Sequence, residues 1–259
     1  MLGMIMTADE YLQSLIAKYK ATTGQGSPAY NAGNAIYPII QQWAGSQLRE
    51  VSFSGSNAKG TAIRGTTDVD LFISLKSDTN ETLKQLFDML FDKMHNSGYS
   101  NARKQTVSIH VTHNEIDVDL VPAVHYGGNT EDHWLYVNKA NHERTKTNVS
   151  SHIDLVRNSA RVNEIIITKI WRRNHNIDFP SLYLELAVIE ALKYKRAGLA
   201  DNFLVVLEYL TSNFPSARFV DPANTNNIIS DDLTDAEKNA IAVQAGQSRR
   251  EQSWGKTVW

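Results

Sequence analysis

The sequence predicts an α+β protein of two lobes, a mixed β-sheet core with packed helices followed by a C-terminal helical lobe. Three observations predict it. Short runs rich in branched and aromatic residues stand at 51–53, 68–75, 105–111 and 115–123. Helical periodicity separates them at 30–48 and 80–97. From residue 151 onward the apolar positions follow helical spacing alone. Residues 1–145 are therefore expected to form the first lobe and 146–259 the second. A chain of 259 residues can bury a sizeable core.

Taken in order, Thr7 reads as a helix N-cap with Glu10 three residues on as its capping-box partner. Leu12, Leu15, Ile16 and Tyr19 follow at helical spacing. Residues 22–29 form a loop, and Ile36, Ile39, Ile40 and Trp43 share one face of a second helix. Leu83, Leu86, Phe87, Leu90 and Met94 make a further stripe that Gly98 ends. Residues 105–111 alternate as a strand, and His113-Asn114 is a turn into 115–123. Residues 125–150 read as an irregular connection. Beyond it, helices run around Ile165–Trp171, over 182–196, over 203–210, and over 233–245 behind a Thr234/Glu237 cap.

The chemistry concentrates in residues 51–75. The run breaks at Gly55-Ser56, passes through a loop with Lys59 and Arg64, and re-emerges as a strand beginning Asp68-Val69-Asp70. Alternation puts Asp68 and Asp70 on one face, with Val69 and Phe72 assigned to the other. Two adjacent carboxylates repel, and a divalent cation relieves that best. Mg²⁺ takes one or two carboxylates plus substrate phosphates. Two such ions about 3.5–4 Å apart can clamp a phosphoryl displacement. Glycine admits a close phosphate, and a serine hydroxyl can bind its oxygens. Asp117 and Asp119 share a face of the later strand, and either could complete a three-carboxylate site. An Asp-x-Asp pair alone is an ordinary solvated strand end. The joint pattern of Gly-Ser, Asp-x-Asp and a later acidic strand is the specific signal. His110 and His113 lie close by and read as hairpin residues, one on the sheet and one in the turn, before they read as ligands.

These motifs resemble the DNA polymerase β-like nucleotidyltransferase superfamily. The run Gly55-Ser56 through Asp68-Val69-Asp70-Leu71, with Val118-Asp119-Leu120-Val121-Pro122-Ala123, is closest to one branch. That branch holds 2′-5′ oligoadenylate synthetase, archaeal CCA-adding enzymes and the bacterial signalling nucleotidyltransferases related to cyclic GMP-AMP synthase. The resemblance selects Asp119 as the third carboxylate. It implies that Asp68, Asp70 and Asp119 hold two Mg²⁺ ions, with Mn²⁺ able to substitute, and carry catalysis. Gly55, Ser56, Lys169 and Ser181 fall on nucleotide-binding positions, and Tyr183 is a candidate to stack a base. Asn57, Asn163 and Tyr183 are the candidates for base choice. Asp221 and Asn227 are expected to fold a loop. The implied reaction joins ribonucleoside triphosphates, releases pyrophosphate, and makes a cyclic di- or trinucleotide second messenger for anti-phage defence. Addition to an RNA end, synthesis of linear oligoadenylate, and a non-catalytic nucleotide-binding module are the alternatives.

Composition sets limits. A net charge of −2 does not suit a long nucleic acid partner, so free nucleotides are expected instead. The absence of cysteine rules out disulfides and thiolate metal sites. No run approaches the roughly 20 apolar residues of a membrane span, and the start lacks a signal-peptide pattern. A cytoplasmic enzyme without membrane contact is expected. The sequence is silent on an activating protein or RNA.

Overall fold

The computed structural model describes residues 6–65, 68–139 and 142–258. The chain divides into two compact units. One comprises Thr22–Gly60 and Thr67–Asp154, the other Met1–Ala21, Thr61–Thr66 and Leu155–Trp259. The sequence reading draws one boundary at residue 145. The contacts instead return two N-terminal segments to the helical unit.

Of the first two helices, α1 (Ala8–Tyr19) belongs to the helical unit and α2 (Pro28–Ala44) to the sheet unit. Ser27 caps α2, its hydroxyl accepting from the Tyr30 N–H at 3.2 Å. The unit continues through β1 (Leu48–Phe53), α3 (Gly55–Lys59), β2 (Val69–Leu75) and α4 (Leu83–Asn96). It then adds β3 (Arg103–Lys104), β4 (Ile109–His113), β5 (Ile116–His125), β6 (His133–Lys139) and β7 (His142–Thr147). The sheet runs β1-β2-β5-β4-β3, and β6 pairs with both β5 and β7. Only β2 and β5 are parallel among these pairings.

Period-two alternation decides what each face buries. Val69, Leu71, Ile73 and Leu75 pack with Ile36 and Ile40 of α2 and Phe87 and Leu90 of α4. Each such side chain contributes on the order of 1.5–3 kcal/mol. The even-numbered residues of β2 occupy the opposite face. Phe72 is one of them, and it packs with Ala123 and Leu135. The expectation that placed Phe72 opposite the aspartates is corrected by simple parity. Residues 125–150 are not an irregular connection, because β6 and β7 form an antiparallel pair there. The stretch from Gly55 is also not wholly loop, since α3 occupies its first five residues.

In the helical unit, α5 (Val149–Asn158) spans the division, followed by α6 (Val162–Asn174), α7 (Ser181–Ala191), α8 (Leu199–Ser212), α9 (Asp235–Arg249) and α10 (Trp254–Thr257). Both capping boxes predicted from sequence are present, Thr7 with Glu10 and Thr234 with Glu237. Leu12, Leu15 and Ile16 of α1 join the core of α6, α7 and α8. Asp9 explains part of that placement. Its Oδ1 accepts the Ala200 N–H at 2.7 Å, serving the start of α8, where Gly198 has no side chain to do so. Among the described residues no helix is long and apolar enough to cross a membrane.

Candidate active site

The parallel pairing of β2 and β5 sets Asp70 directly beside Asp119. Both lie on the face carrying Phe72, and Asp68 stands just before β2. β4 adds a partner from the other side, because His110 is the residue opposite Asp119. One ligand atom each from Asp68, His110 and Asp119 lies within 4.8 Å of the others. The two carboxylates suit a divalent cation, and the imidazole Nδ1 stands 2.9 Å from Asp119 Oδ1. Burial pushes the Asp119 carboxyl above the usual carboxylate range, and Asp68 adds to this. The His110 contact and Arg103 pull the other way. An unbalanced negative cluster of this kind is what a cation relieves.

His110 is therefore a site residue, where the sequence reading preferred a plain hairpin residue. A signal existed. Asn114 and Glu115 both have positive φ, the signature of a two-residue turn, so His113 pairs with Ile116. Counting three residues outward on each strand puts His110 on Asp119. His113 stays out of the cluster, its Nδ1 2.9 Å from the Tyr99 hydroxyl. Asp117 is paired with Thr112 and half exposed beside the cluster.

Gly55 sits against the Asp70 carboxylate, and Ser56 follows it in the chain. The Ser54 N–H donates to the Asp70 carbonyl at 2.9 Å, which ties the end of β1 to β2. The next residue, Gly55, has φ +54°, and a Cβ there would stand 1.8 Å from Asp70 Oδ2. Only glycine fits. The Ser56 hydroxyl is buried with no hydrogen-bond partner among the described residues. A cavity of about 180 Å³ opens here, lined by Ser54, Gly55, Lys59, Asp70, Phe72 and His152 among others. An orphaned hydroxyl and a glycine cradle beside aspartates fit the phosphate-and-cation expectation. Asn57 lies half-buried on α3.

The remaining expected residues lie in the helical unit. Lys169 is 2% exposed, its Nζ donating to Glu185 Oε1 at 2.7 Å and to Thr61 Oγ at 2.9 Å. Ser181 begins α7, exposed, and its Oγ accepts from Arg172 at 3.2 Å. Burial pulls the Arg172 guanidinium below its ordinary value. Asn163 is exposed on α6. Asp221 and Asn227 close their loop on each other, through Asn227 Nδ2 to Asp221 Oδ2 at 3.1 Å. Tyr183 is fully buried, its ring against Phe179, Phe214 and Phe219. That is a core position, closed to a stacking base.

The family model of the Second Messenger Oligonucleotide or Dinucleotide Synthetase domain matches residues 6–159. The chain belongs to this family. Among curated relatives, the cyclic AMP-AMP-AMP synthase of Escherichia coli strain MS 115-1 is 25% identical, over 78% of this chain and 76% of its own length. The solved E. coli MS115-1 CdnC structure with ATP superposes with a TM-score of 0.74 at 19% identity, covering 98% of this chain and 96% of that one. An RNA terminal uridylyl transferase shares the fold as well, at a TM-score of 0.67 and 10% identity over 95% of this chain and 94% of that one. The polymerase β-like resemblance and the α+β architecture are thus borne out.

The Tyr183 hydroxyl gives the protein a measurable alkaline weakness. It is buried without a partner among the described residues, and burial pushes it up to about 12. Between pH 10 and about 12 the unfolded chain loses this proton before the folded one does. Stability is therefore present below pH 10 and is lost across that window, by on the order of 2–3 kcal/mol. Tyr183→Phe should lose less than wild type between pH 9 and 11 in urea unfolding. At neutral pH it should be as stable or up to about 1–2 kcal/mol more so. An equal alkaline loss in both proteins contradicts this account.

Proposed function

We propose that this synthetase joins ribonucleoside triphosphates, with divalent cations held at Asp68, Asp70 and Asp119, to make a cyclic di- or trinucleotide second messenger. The observation that carries the reading is the convergence of Asp68, His110 and Asp119 beside Asp70 and the Gly55-Ser56 cradle. Family membership supports the product class, and the E. coli relative's product, cyclic AMP-AMP-AMP, supports a ring of nucleotides.

Bound Mg²⁺ or Mn²⁺ would supply charge neutralisation at the phosphates. The chain supplies the rest. Gly55 leaves room for a phosphate against the backbone, and the Ser56 hydroxyl offers it a hydrogen bond. Asp119, half-buried with a raised carboxyl pKa, accepts the proton from an attacking ribose hydroxyl. That oxygen bonds to the α-phosphorus of a triphosphate, and the bond to the leaving pyrophosphate breaks. Positioning and charge compensation carry most of the rate. Ser181 and Lys169 are proposed to serve the triphosphate, with Lys169 held in its buried pair with Glu185.

The test is incubation of the protein with all four ribonucleoside triphosphates and Mg²⁺ or Mn²⁺, with phosphatase-treated products read by mass spectrometry. A phosphatase-resistant cyclic product is expected. Linear products, or extension of an added RNA only, would place the enzyme with RNA-end or linear oligonucleotide synthesis. Metal-independent nucleotide binding with no product in any combination would leave a binding module.

A further inference from the structure

His110 sits inside the carboxylate cluster, and no step proposed above uses it. It is 3% exposed and occupies the β4 position paired with Asp119. Its Nδ1 lies 2.9 Å from Asp119 Oδ1, and its Nε2 lies 3.3 Å from Asp117 Oδ1. Thr112 donates its hydroxyl to the same Asp117 oxygen at 2.8 Å. Arg103 holds the β3 position paired with His110. An ionised carboxylate only accepts hydrogen bonds, so the Asp119 contact calls for an N–H at Nδ1.

Asp119 needs such a partner. A carboxylate turns readily about its last torsion. Asp68 repels it from the side on which a cation is expected to bind. A single hydrogen bond to Oδ1 stops that rotation and leaves Oδ2 free to act.

We propose that His110 is a positioning residue that locks Asp119 for the reaction. Nδ1–H fixes Oδ1, and Asp117 with Thr112 holds the other edge of the ring. Oδ2 is then presented as cation ligand and proton acceptor. Partners behind the groups that touch a metal commonly matter 10–100-fold in affinity or activity. The inference rests on the nucleotidyltransferase reading above.

Two near-isosteric variants separate the ring nitrogens. His110→Asn places an amide N–H where Nδ1 stands, and His110→Gln places it where Nε2 stands. The asparagine variant should keep kcat within about three-fold, and the glutamine variant should lose about 10–100-fold in kcat with KM for the triphosphate little changed. Mn²⁺ affinity, read by electron paramagnetic resonance of free ion, should fall in the glutamine variant alone. Melting curves check that both variants fold. Equal losses in the two variants overturn the proposal. So does a nitrogen coupling in the spin-echo spectrum of bound Mn²⁺, which would make His110 a ligand. Wild-type protein that binds no Mn²⁺ defeats the nucleotidyltransferase reading itself, an outcome distinct from the other two.

Discussion

Asp68→Asn should cut pyrophosphate release by on the order of a thousand-fold or more while the protein stays folded. The substitution keeps the side-chain size and removes one charge from the cluster. Stability should not suffer. Burial and the Asp68 charge both raise the Asp119 carboxyl. Ionised Asp119 therefore costs stability above its folded pKa, and that cost fades as the pH falls through it. Neutralising Asp68 lowers the cost, so the metal-free variant should melt at or above the wild-type temperature near pH 7.5. Its melting shift with Mn²⁺ should shrink. Retained turnover would remove Asp68 from the proposed machinery, and an unfolded variant would leave the charge argument wrong.

Lys169→Met should destabilise the protein by about 3–5 kcal/mol, because it removes the ammonium that balances a buried carboxylate and leaves that charge to neutral donors such as the Thr61 hydroxyl at 3.2 Å. Glu185 is 1% exposed, so water does not replace the lost ammonium. The melting temperature should fall by roughly ten degrees. Combining Lys169→Met with Glu185→Leu should recover most of that loss, since a buried pair can be replaced by apolar groups of similar size at little cost. The double variant then isolates the triphosphate role. Stability restored with activity still lost supports a direct role for the Lys169 charge. Stability and activity restored together would make the pair structural. A single variant as stable as wild type would contradict the buried-pair reading.

What the sequence made legible was local or strictly periodic. The Thr7 and Thr234 capping boxes need only residues three apart. The apolar stripe of α4 and the alternation of β2 need only counting, although the placement of Phe72 shows how a parity slip moves a side chain through the sheet. The side-by-side placement of Asp70 and Asp119 was different. Their separation along the chain hides it, and only the family resemblance pointed to Asp119. β7, His142–Thr147, has no apolar residue to show a strand pattern, whereas β6 does carry one in Trp134-Leu135-Tyr136-Val137, a short run hidden among the polar residues on either side. His110 required the register of a hairpin, which depends on two positive-φ residues outside the usual glycine turn. Tyr183 lay on a helix where spacing suits both core and ligand, and tertiary packing decided it.

The most direct measurement is a crystal structure of the protein grown with Mn²⁺ and a non-hydrolysable ATP analogue, with data collected for the anomalous signal of manganese. The account predicts a manganese peak in direct contact with carboxylate oxygens of Asp68, Asp70 and Asp119, with the analogue's phosphates against Gly55 and Ser56. A manganese-bound triphosphate that touches none of these aspartates would contradict it.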